Sequence, residues 1–447
     1  MHDPDDAIAA PATPWGISAL AVIRTTGCRC IEKVSTVFKP SDRLKKALGG
    51  MAVYGEVFNP ADGSPADQVI ALVFRAPASY TGQDTVELCC HGGIPSVRKV
   101  LDALKAAGFR DAGPGEFTLR AFLNGKVDLT QAEAVNELIT AKTRRAHDLA
   151  FNRLSGALWK KVDEIKQSLV EVLSALELTL DYPEDEIEEP EEISLPTLSS
   201  ARGKLQSLLK TYRTGRLFQQ GIRLALAGRT NAGKSSLFNL LLREDRAIVS
   251  EIHGTTRDYL ESWITMNGLP VLLLDTAGLR ASDHPVEAEG IRRSEEIIEN
   301  ADLVLYLVDA SRGLSAEDRE YLEKSTDRVI PVWSKADIAA AEPPEGFLPV
   351  STVTDQGRED LERRIYESVL GTEPLDAAVI DSERQKDCLT RALEALERFI
   401  GDVGEGIPLD AASADLKEAV DALGEITGEV TSSDILQRMF SRFCVGK

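Results

Sequence analysis

The chain has 447 residues, a hydrophobic content of 43%, a charged content of 28% and a formal net charge of −21. This length predicts two to four domains, and this composition excludes a wholly disordered or fibrous protein. The acidic balance excludes a broad nucleic-acid-binding surface, although not a local basic site or an RNA delivered by a partner. The sequence has no run of about 18 apolar residues and no signal-peptide core, so we expect a cytoplasmic protein without a membrane span.

Residues 1–125 alternate short β-rich runs with glycine and proline turns, and a helical stretch at 95–107 interrupts them. The runs lie at Ala19–Ile23, Val69–Phe74 and Thr85–Cys90. This alternation predicts an α+β domain.

Two regions of helical periodicity flank a segment with a different pattern. In the first, Thr130 and Glu133 predict a capping box, and apolar residues recur in steps of three and four over 158–180. The second begins after residue 382, and the intervening residues 217–375 carry short apolar strands that run into polar loops. We therefore predict a helical domain interrupted by an inserted α/β domain, with four consecutive domains as the alternative. The predicted boundaries are 1–125 for the α+β domain, 126–216 and 379–447 for the helical domain, and 217–378 for the insertion.

The most specific motif is GRTNAGKS at 228–235, which matches the phosphate-binding pattern GxxxxGK[ST]. It follows the apolar strand 222–227 and opens a helix at 235–242. Glycines in such a loop let several backbone N–H groups point at phosphate oxygens, and the helix N-terminus adds positive potential. We expect Lys234 to reach the terminal phosphates and Ser235 to ligate Mg²⁺.

Two further segments have the order expected of a Ras-like GTPase. A threonine of the loop 254–258 can complete the magnesium shell. The segment 275–278, DTAG, offers a carboxylate that can hold magnesium through water and a glycine amide that can sense the γ-phosphate. Between them, Asn267-Gly268 joins two apolar runs and predicts a hairpin.

A guanine-recognition segment follows the strand 329–333. Asp337 can accept hydrogen bonds from the ring N–H and the exocyclic amine of guanine, an edge that adenine lacks. The motif is usually NKxD, and Ser334 replaces its asparagine, which predicts weaker nucleotide binding with discrimination intact. Residues 350–352 lie where such enzymes place a base-contacting loop. Together these elements predict an α/β GTPase domain with a Ras-like fold.

The water-positioning group of this GTPase is not the usual one. Ras-like enzymes commonly place a glutamine after DxxG, but Leu279 occupies that position and cannot form a hydrogen bond through its side chain. Either another group orients the attacking water, or the domain is a binding switch.

The motifs GRTNAGKSSL, GTTRD and DTAGLR, a helical surround and a terminal FCVGK resemble the MnmE/TrmE family of tRNA-modification GTPases. Five N-terminal blocks carry the same resemblance, which extends over essentially the whole chain: 12–14, 79–82, 91–93, 114–117 and 120–126. The resemblance implies a GTP-hydrolysing enzyme and a homodimer joined through the N-terminal domains. It also implies a complex with an FAD-dependent partner, MnmG, which together with this chain adds an aminomethyl or carboxymethylaminomethyl group to C5 of the wobble uridine of certain tRNAs.

The resemblance also implies a tetrahydrofolate derivative bound to the N-terminal domain by Arg24, Glu87, Lys126 and Lys447. The family pairs its GTPase domains across a potassium ion, whose ligands map to Asn231, Ser250, Ile252 and Thr255, while Ser235 and Thr256 would bind magnesium. The implied GTP contacts are Asn231, Ala232, Gly233, Lys234, Ser235, Ser236, Ser250, Glu251, Ile252, His253, Gly254, Thr255, Thr256, Asp275, Thr276, Ala277, Gly278, Ser334, Lys335, Asp337, Ser351 and Thr352.

Two assignments stay open. The family's water-orienting acid maps to Glu287; the alternatives are Glu289, two residues away, and a solvated switch-loop glutamate without a catalytic role. Cys444 is a nucleophile or a packing residue. At the level of function, the alternative to a tRNA-modifying enzyme is a GTPase switch that assists ribosome or RNA assembly without one-carbon chemistry.

Overall fold

The computed structural model describes residues 3–181, 194–244, 261–275, 296–324, 327–339, 341–370 and 378–447. The chain divides into two compact units. Unit 1 comprises Met1–Asn136, Leu154–Ile193 and Arg398–Lys447, and unit 2 comprises Glu137–Arg153 and Ser194–Glu397. Among the residues with described placement, no helix is long and apolar enough to cross a bilayer.

The strands belong to two sheets, one in each unit. In unit 1 they are β1 Ile8–Pro11, β2 Ser18–Thr26, β3 Phe38–Lys39, β4 Met51–Phe58, β5 Pro65–Phe74, β6 Thr85–Gly92 and β7 Arg110–Asp111. In unit 2 they are β8 Ile222–Gly228, β9 Glu261–Met266, β10 Leu269–Asp275, β11 Leu303–Asp309, β12 Val329–Ser334 and β13 Leu348–Val350.

The helices alternate with strands in both sheet regions and dominate elsewhere. In chain order they are α1 Cys30–Ser35, α2 Ser41–Lys45, α3 Ile94–Ala106, α4 Glu116–Leu123, α5 Leu129–Thr140, α6 Arg144–Leu154, α7 Ala157–Asp181, α8 Leu195–Gln220, α9 Lys234–Glu244, α10 Ala316–Glu323, α11 Arg358–Leu370, α12 Glu383–Glu405, α13 Leu409–Thr427 and α14 Ser433–Phe440.

The sheet of unit 1 has the order β3-β4-β5-β6-β2-β1-β7, and its pairs are antiparallel except for β1 with β7. One face packs against α3 through buried residues such as Ile23 and Leu88. The opposite face carries Tyr54 and Ile70, which are cross-strand partners and are 63% and 46% exposed. Because side chains alternate along a strand, the neighbouring pair of Arg24 and Glu87 lies on this second face as well.

The start of α5 corrects a sequence prediction. The capping box is formed by Asp128 and Gln131, not by Thr130 and Glu133. Asp128 Oδ1 accepts the Gln131 N–H at 3.0 Å, and Gln131 Oε1 accepts the Asp128 N–H at 3.0 Å. The two pairs satisfy the same sequence pattern, and the helix begins at Leu129, one residue before the predicted cap.

The predicted apolar stripe of α7 is buried at Leu158, Val162, Ile165, Leu169 and Leu176. It ends before Leu180, which is 44% exposed in the last turn of the helix. Helix α7 packs against α13 in the same unit. The periodicity therefore identified the buried side of the helix over most of its length.

The sheet of unit 2 has the order β13-β12-β11-β8-β10-β9 and is parallel except for the β9–β10 hairpin. Asn267 and Gly268 form the hairpin turn with positive φ angles of 49° and 83°, the type I′ geometry predicted for this dipeptide. Along β8, Leu224 and Leu226 enter one hydrophobic core while Ala225 and Ala227 enter another. Burial on both faces is typical of a parallel α/β sheet, and the predicted fold class is confirmed.

Candidate functional site

The phosphate-binding motif of unit 2 lies between the end of β8 and the start of α9. Three of its residues have positive φ angles: 131° at Gly228, 66° at Asn231 and 94° at Gly233. A Cβ atom at Gly228 would lie 2.3 Å from the carbonyl oxygen of Leu307, so the strand end has room only for glycine. Lys234 Nζ donates to the carbonyl oxygens of Gly228 and Arg229, both at 2.9 Å, which holds its positive charge over the loop. This geometry suits a phosphate anion.

The start of α9 and the end of β10 bring a hydroxyl group and a carboxylate together. Ser235 Oγ lies 3.5 Å from Asp275 Oδ2, because β8 and β10 are neighbours and both end at this edge of the sheet. Ser235 is exposed, whereas Asp275 is buried. Hydroxyl and carboxylate oxygens are the ligands that Mg²⁺ prefers, so this pair fits the ion expected from the sequence.

Ser334 connects the guanine-recognition segment to the phosphate-binding loop. Its buried Oγ lies 2.6 Å from the carbonyl oxygen of Ala232 and 3.0 Å from that of Val308. A hydroxyl has one proton, so it donates to one of these oxygens at a time, and the shorter distance favours Ala232. The serine thus provides a direct bond between two parts of the nucleotide site.

Lys335 is fixed by a residue that the sequence analysis did not identify. It has a left-handed backbone with φ 57°, and its Nζ donates to Asp309 Oδ2 at 2.6 Å. Burial raises the pKa of Asp309, but the hydrogen bonds from Lys335 and Ser311 outweigh that effect and leave the pKa below its ordinary value. Asp309 ends β11 directly opposite Ser334 in the ladder, so its contact with Lys335 follows from strand pairing and no local sequence signal marked it.

The loop after β13 reaches the guanine-recognition aspartate. Ser351 is fully buried, and its Oγ donates to Asp337 Oδ1 at 2.6 Å. Ser351 Oγ also accepts hydrogen bonds from the N–H groups of Val353 and Thr354, both at 3.2 Å. Thr352, the residue after Ser351, is half-buried. The structure therefore brings the predicted base-contacting loop to Asp337.

The remaining predicted residues of the nucleotide site lie partly inside and partly outside the described ranges. Ser236 is exposed in the first turn of α9, next to Ser235. The residues that lie outside the described ranges are Ser250, Glu251, Ile252, His253, Gly254, Thr255, Thr256, Thr276, Ala277, Gly278, Leu279, Glu287 and Glu289.

A second cluster of charged groups occurs in unit 1, on the less covered face of its sheet. Arg24 Nε donates to Glu87 Oε1 at 2.7 Å, and Arg24 Nη1 donates to the carbonyl oxygen of Gly446 at 3.3 Å. The guanidinium carbon lies 5.3 Å from the ring centre of Tyr80 and 5.7 Å from that of Phe117. The arginine is thus held between a carboxylate, a backbone carbonyl and two aromatic rings.

Lys447 belongs to this cluster, whereas Lys126 does not bond to it. Burial, and then the positive charge of Arg24, lower the pKa of Lys447, while Glu87 opposes this shift. Lys126 Nζ donates instead to the carbonyl oxygen of Pro77 at 3.1 Å. The structure therefore brings together three of the four predicted cofactor residues. Two cations beside one carboxylate leave a net positive charge that can receive an anionic group.

The C-terminal segment reaches this cluster through backbone pairing. The Gly115 N–H donates to Cys444 O at 3.3 Å, and the Phe117 N–H donates to Lys447 O at 3.1 Å. Gly446 has φ 95°, and a Cβ there would lie 2.2 Å from the carbonyl oxygen of Pro11. Cys444 itself is exposed. These contacts fix the position of Lys447 beside Arg24.

The model of the MnmE helical domain matches residues 129–444, and the model of the GTP-binding protein TrmE N-terminus matches residues 7–126. The chain belongs to the MnmE family. A relative from Treponema denticola, named tRNA modification GTPase MnmE, is 43% identical over 99% of this chain and 98% of its own length. A second with the same name, from Carboxydothermus hydrogenoformans, is 40% identical over 99% of this chain and 100% of its own length.

The structural comparison is weaker than the sequence comparison. The G domain of the T. maritima FeoB iron transporter is 27% identical and covers 33% of this chain and 98% of its own length. Its TM-score is 0.25, so this match adds nothing to the assignment to the MnmE family. The resemblance derived from the sequence motifs is confirmed by the family models and by the full-length relatives.

Sequence reasoning missed three residues of the two candidate sites. Asp309 was missed because its role depends on a neighbouring strand. Tyr80 and Phe117 belong to quoted motif blocks, but nothing local showed that their rings lie beside the Arg24 guanidinium.

Proposed function

We propose that this chain, a GTPase of the MnmE family, hydrolyses GTP and works with an FAD-dependent partner similar to MnmG. Together they add an aminomethyl or carboxymethylaminomethyl group to C5 of the wobble uridine of certain tRNAs. The observation that carries the proposal is the cluster of Arg24, Glu87 and Lys447. A GTPase switch needs no second charged site, whereas a one-carbon enzyme needs a place for its donor.

The nucleotide site supports GTP as the substrate. The Lys234 ammonium group is positioned for phosphates, and the Asp337 carboxylate for the guanine edge. Ser334 and Lys335 join the two regions through Ala232 and Asp309. We therefore assign the GTP contacts to the residues given by the family resemblance. Within that set, Ser334 and Lys335 act mainly by bonding to other protein groups of the site.

We assign two cations to the GTPase domain. The pair of Ser235 and Asp275 supplies oxygens for Mg²⁺, which would neutralise phosphate charge, and Thr256 would complete the shell. Asn231, exposed in the phosphate-binding loop, would contribute its side chain to K⁺, with Ser250, Ile252 and Thr255. Comparing GTP hydrolysis in potassium and in sodium at equal ionic strength tests the second assignment, and equal rates would remove it.

The unit 1 cluster suits a tetrahydrofolate derivative. The glutamate tail of a folate carries carboxylates, which Arg24 and Lys447 can bind, while Glu87 would hold the Arg24 guanidinium in place and offer its second oxygen to a nearby N–H donor of the ligand. Arg24 uses Glu87 Oε1, so Oε2 lies outside that hydrogen bond. Lys126, whose ammonium group bonds to Pro77 O, is the weakest member of the assigned set.

We further propose that the chain forms a homodimer through its N-terminal domain, for which the exposed apolar face of the unit 1 sheet provides support. Leu20 and Tyr54 are each 63% exposed on that face. The domain boundaries that accompany this proposal are 1–125, 126–216, 217–378 and 379–447, and a tRNA-modifying GTPase would act in the cytoplasm.

Nucleoside analysis of tRNA from a strain that lacks this protein tests the proposed function. Loss of the C5-modified wobble uridine, and its recovery on expression of the full chain, is the expected result. Unchanged tRNA together with a defect in ribosome assembly would support the GTPase switch instead.

A further inference from the structure

A cleft with a volume of about 600 Å³ lies in unit 2, at the edge of the sheet where β8 begins. Arg213 and Arg216 line it from the end of α8, and Arg223 lines it from the start of β8. Gly228 ends the same strand, five residues beyond Arg223, which corresponds to roughly 17 Å. The cleft is therefore at the opposite edge of the sheet from the phosphate-binding loop.

In the part of the chain that the structure describes, no carboxylate forms an ion pair with the arginines of this cleft. Arg216 Nε donates to the amide oxygen of Gln220 at 3.0 Å, and within the described ranges none of the three guanidinium groups forms an ion pair. Asp302 also lines the cleft, but its Oδ2 accepts the backbone N–H of Arg223 at 2.8 Å, so it anchors the strand. In a chain with a net charge of −21, such a group of arginines is a local exception.

Two aromatic side chains complete the walls, and each is held by a lysine. Lys142 Nζ lies 3.2 Å from the ring centre of Trp263, and Lys386 Nζ lies 5.2 Å from that of Tyr212. Both rings are partly exposed. The cleft thus combines guanidinium groups with planar rings that cations hold in place.

We propose that this cleft binds RNA, with the arginines on backbone phosphates and an unstacked base against Tyr212 or Trp263. Guanidinium groups bind phosphate oxygens in pairs, and aromatic rings stack on bases of any sequence. An acidic protein segment would use the arginines but would not require the aromatic walls. The proposal rests on the proposed function in one respect, because it takes tRNA as the RNA.

The test compares tRNA binding by the full chain and by two triple variants. The cleft variant is Arg213→Gln, Arg216→Gln and Arg223→Gln. The control is Arg319→Gln, Arg363→Gln and Arg364→Gln, which makes the same charge change at exposed positions of α10 and α11. Fluorescence anisotropy with labelled tRNA, at several salt concentrations, gives the affinity and its salt dependence. GTP affinity and GTP hydrolysis, measured on the same samples, report correct folding and should not change.

We expect the cleft variant to bind tRNA at least about tenfold more weakly, with the slope of log affinity against log salt smaller by about two. The control should change the affinity less than twofold. Equal losses in both variants, no loss in the cleft variant, or no tRNA binding by the unaltered chain would overturn the proposal. If the cleft variant kept its affinity for tRNA but no longer bound a protein partner, the proposal would also be overturned, and the cleft would be a protein-docking site.

Nucleoside analysis separates this result from the proposed function. If tRNA modification depends on the chain but the cleft variant binds tRNA normally, the cleft assignment fails and the function stands. If modification does not depend on the chain, the proposed function fails whatever the cleft binds.

Discussion

Ser334 Oγ lies 2.6 Å from the carbonyl oxygen of Ala232, so the first residue of the guanine-recognition segment is bonded to the phosphate-binding loop. The motif usually has asparagine at this position, and the sequence alone predicted that serine would weaken the site. The structure gives the serine a bridging role that its short side chain can perform because β12 ends close to the loop. Its bond fixes the position of the loop relative to the end of β12.

We expect Ser334→Ala to weaken GTP binding by roughly three- to tenfold, which is the usual net value of one hydrogen bond. The binding should be measured by isothermal titration at fixed magnesium concentration. Ser368→Ala is the matched control, because that exposed hydroxyl bonds only to Arg364 O in its own helix. Equal affinities for the Ser334 variant and the control would show that the bridge contributes nothing.

Asp337→Asn should reduce the preference for GTP over ATP by roughly ten- to a hundredfold, because a charged hydrogen-bond acceptor for guanine is lost. Competition binding with GTP, ITP and ATP measures the effect, since ITP lacks only the exocyclic amine. The substitution also alters the bond from Ser351 Oγ, so Ser351→Ala should be measured in parallel. An unchanged GTP/ATP ratio in Asp337→Asn would contradict the assignment.

Lys447→Gln should weaken binding of a reduced folate by roughly ten- to a hundredfold, whereas Lys126→Gln should have a smaller effect. The two changes remove the same charge, but only Lys447 lies in the electrostatic field of Arg24 and Glu87. Equilibrium dialysis with the full chain measures both affinities. A fragment of residues 1–125 should bind poorly, because it lacks both Gly446 and Lys447. A larger loss of folate affinity in Lys126→Gln than in Lys447→Gln would contradict this prediction.

Glu116 should make the stability of the N-terminal domain depend on pH. Burial raises the pKa of this carboxyl group, but hydrogen bonds from Arg110, Gly113 N–H and Arg120 outweigh it and lower the pKa from 4.5 to about 2. The stabilisation is therefore complete above pH 4.5 and is lost as the pH falls towards 2, and a shift of this size corresponds to roughly 3 kcal/mol.

Urea unfolding of Glu116→Gln at several pH values checks this expectation. The variant should be less stable than the unaltered chain near neutral pH, and the difference should shrink below about pH 4. Glu32→Gln, at an exposed position of α1, is the control. A difference that is constant with pH would mean that the carboxylate charge has no part in the effect.

Glu287→Ala should lower GTP turnover by roughly 10²–10⁴-fold with little change in nucleotide affinity, the range typical of an acid–base group. The reason is chemical, since Leu279 cannot orient the attacking water. Both residues lie outside the described ranges, so the prediction rests on the sequence and the family resemblance. Glu289→Ala makes the same charge change two residues away. Equal losses of turnover in the two variants would indicate a role in loop order.

The sequence predicted those local features of unit 2 whose residues lie close together along a short segment. The loop around Lys234, the hairpin at Asn267-Gly268 and the base loop at Ser351 all follow from local patterns. The sequence prediction was wrong at the start of α5 because two residue pairs, Asp128 with Gln131 and Thr130 with Glu133, both match the capping-box pattern. The hydrogen bonds show that Asp128 and Gln131 form the box. Asp309 acts across a strand pair, and no periodicity along the chain reports such a contact.

The bond between Arg24 and Gly446 joins residues 422 positions apart. A ribosome synthesises the chain from its N-terminal end, so the sheet that carries Arg24 and Glu87 is complete long before Gly446 and Lys447 emerge. An N-terminal domain that folded during synthesis would therefore lack one cation of its charged cluster until the last residues emerged. Its ability to capture an anionic ligand should appear late and abruptly, when the C-terminal segment pairs with Gly115 and Phe117.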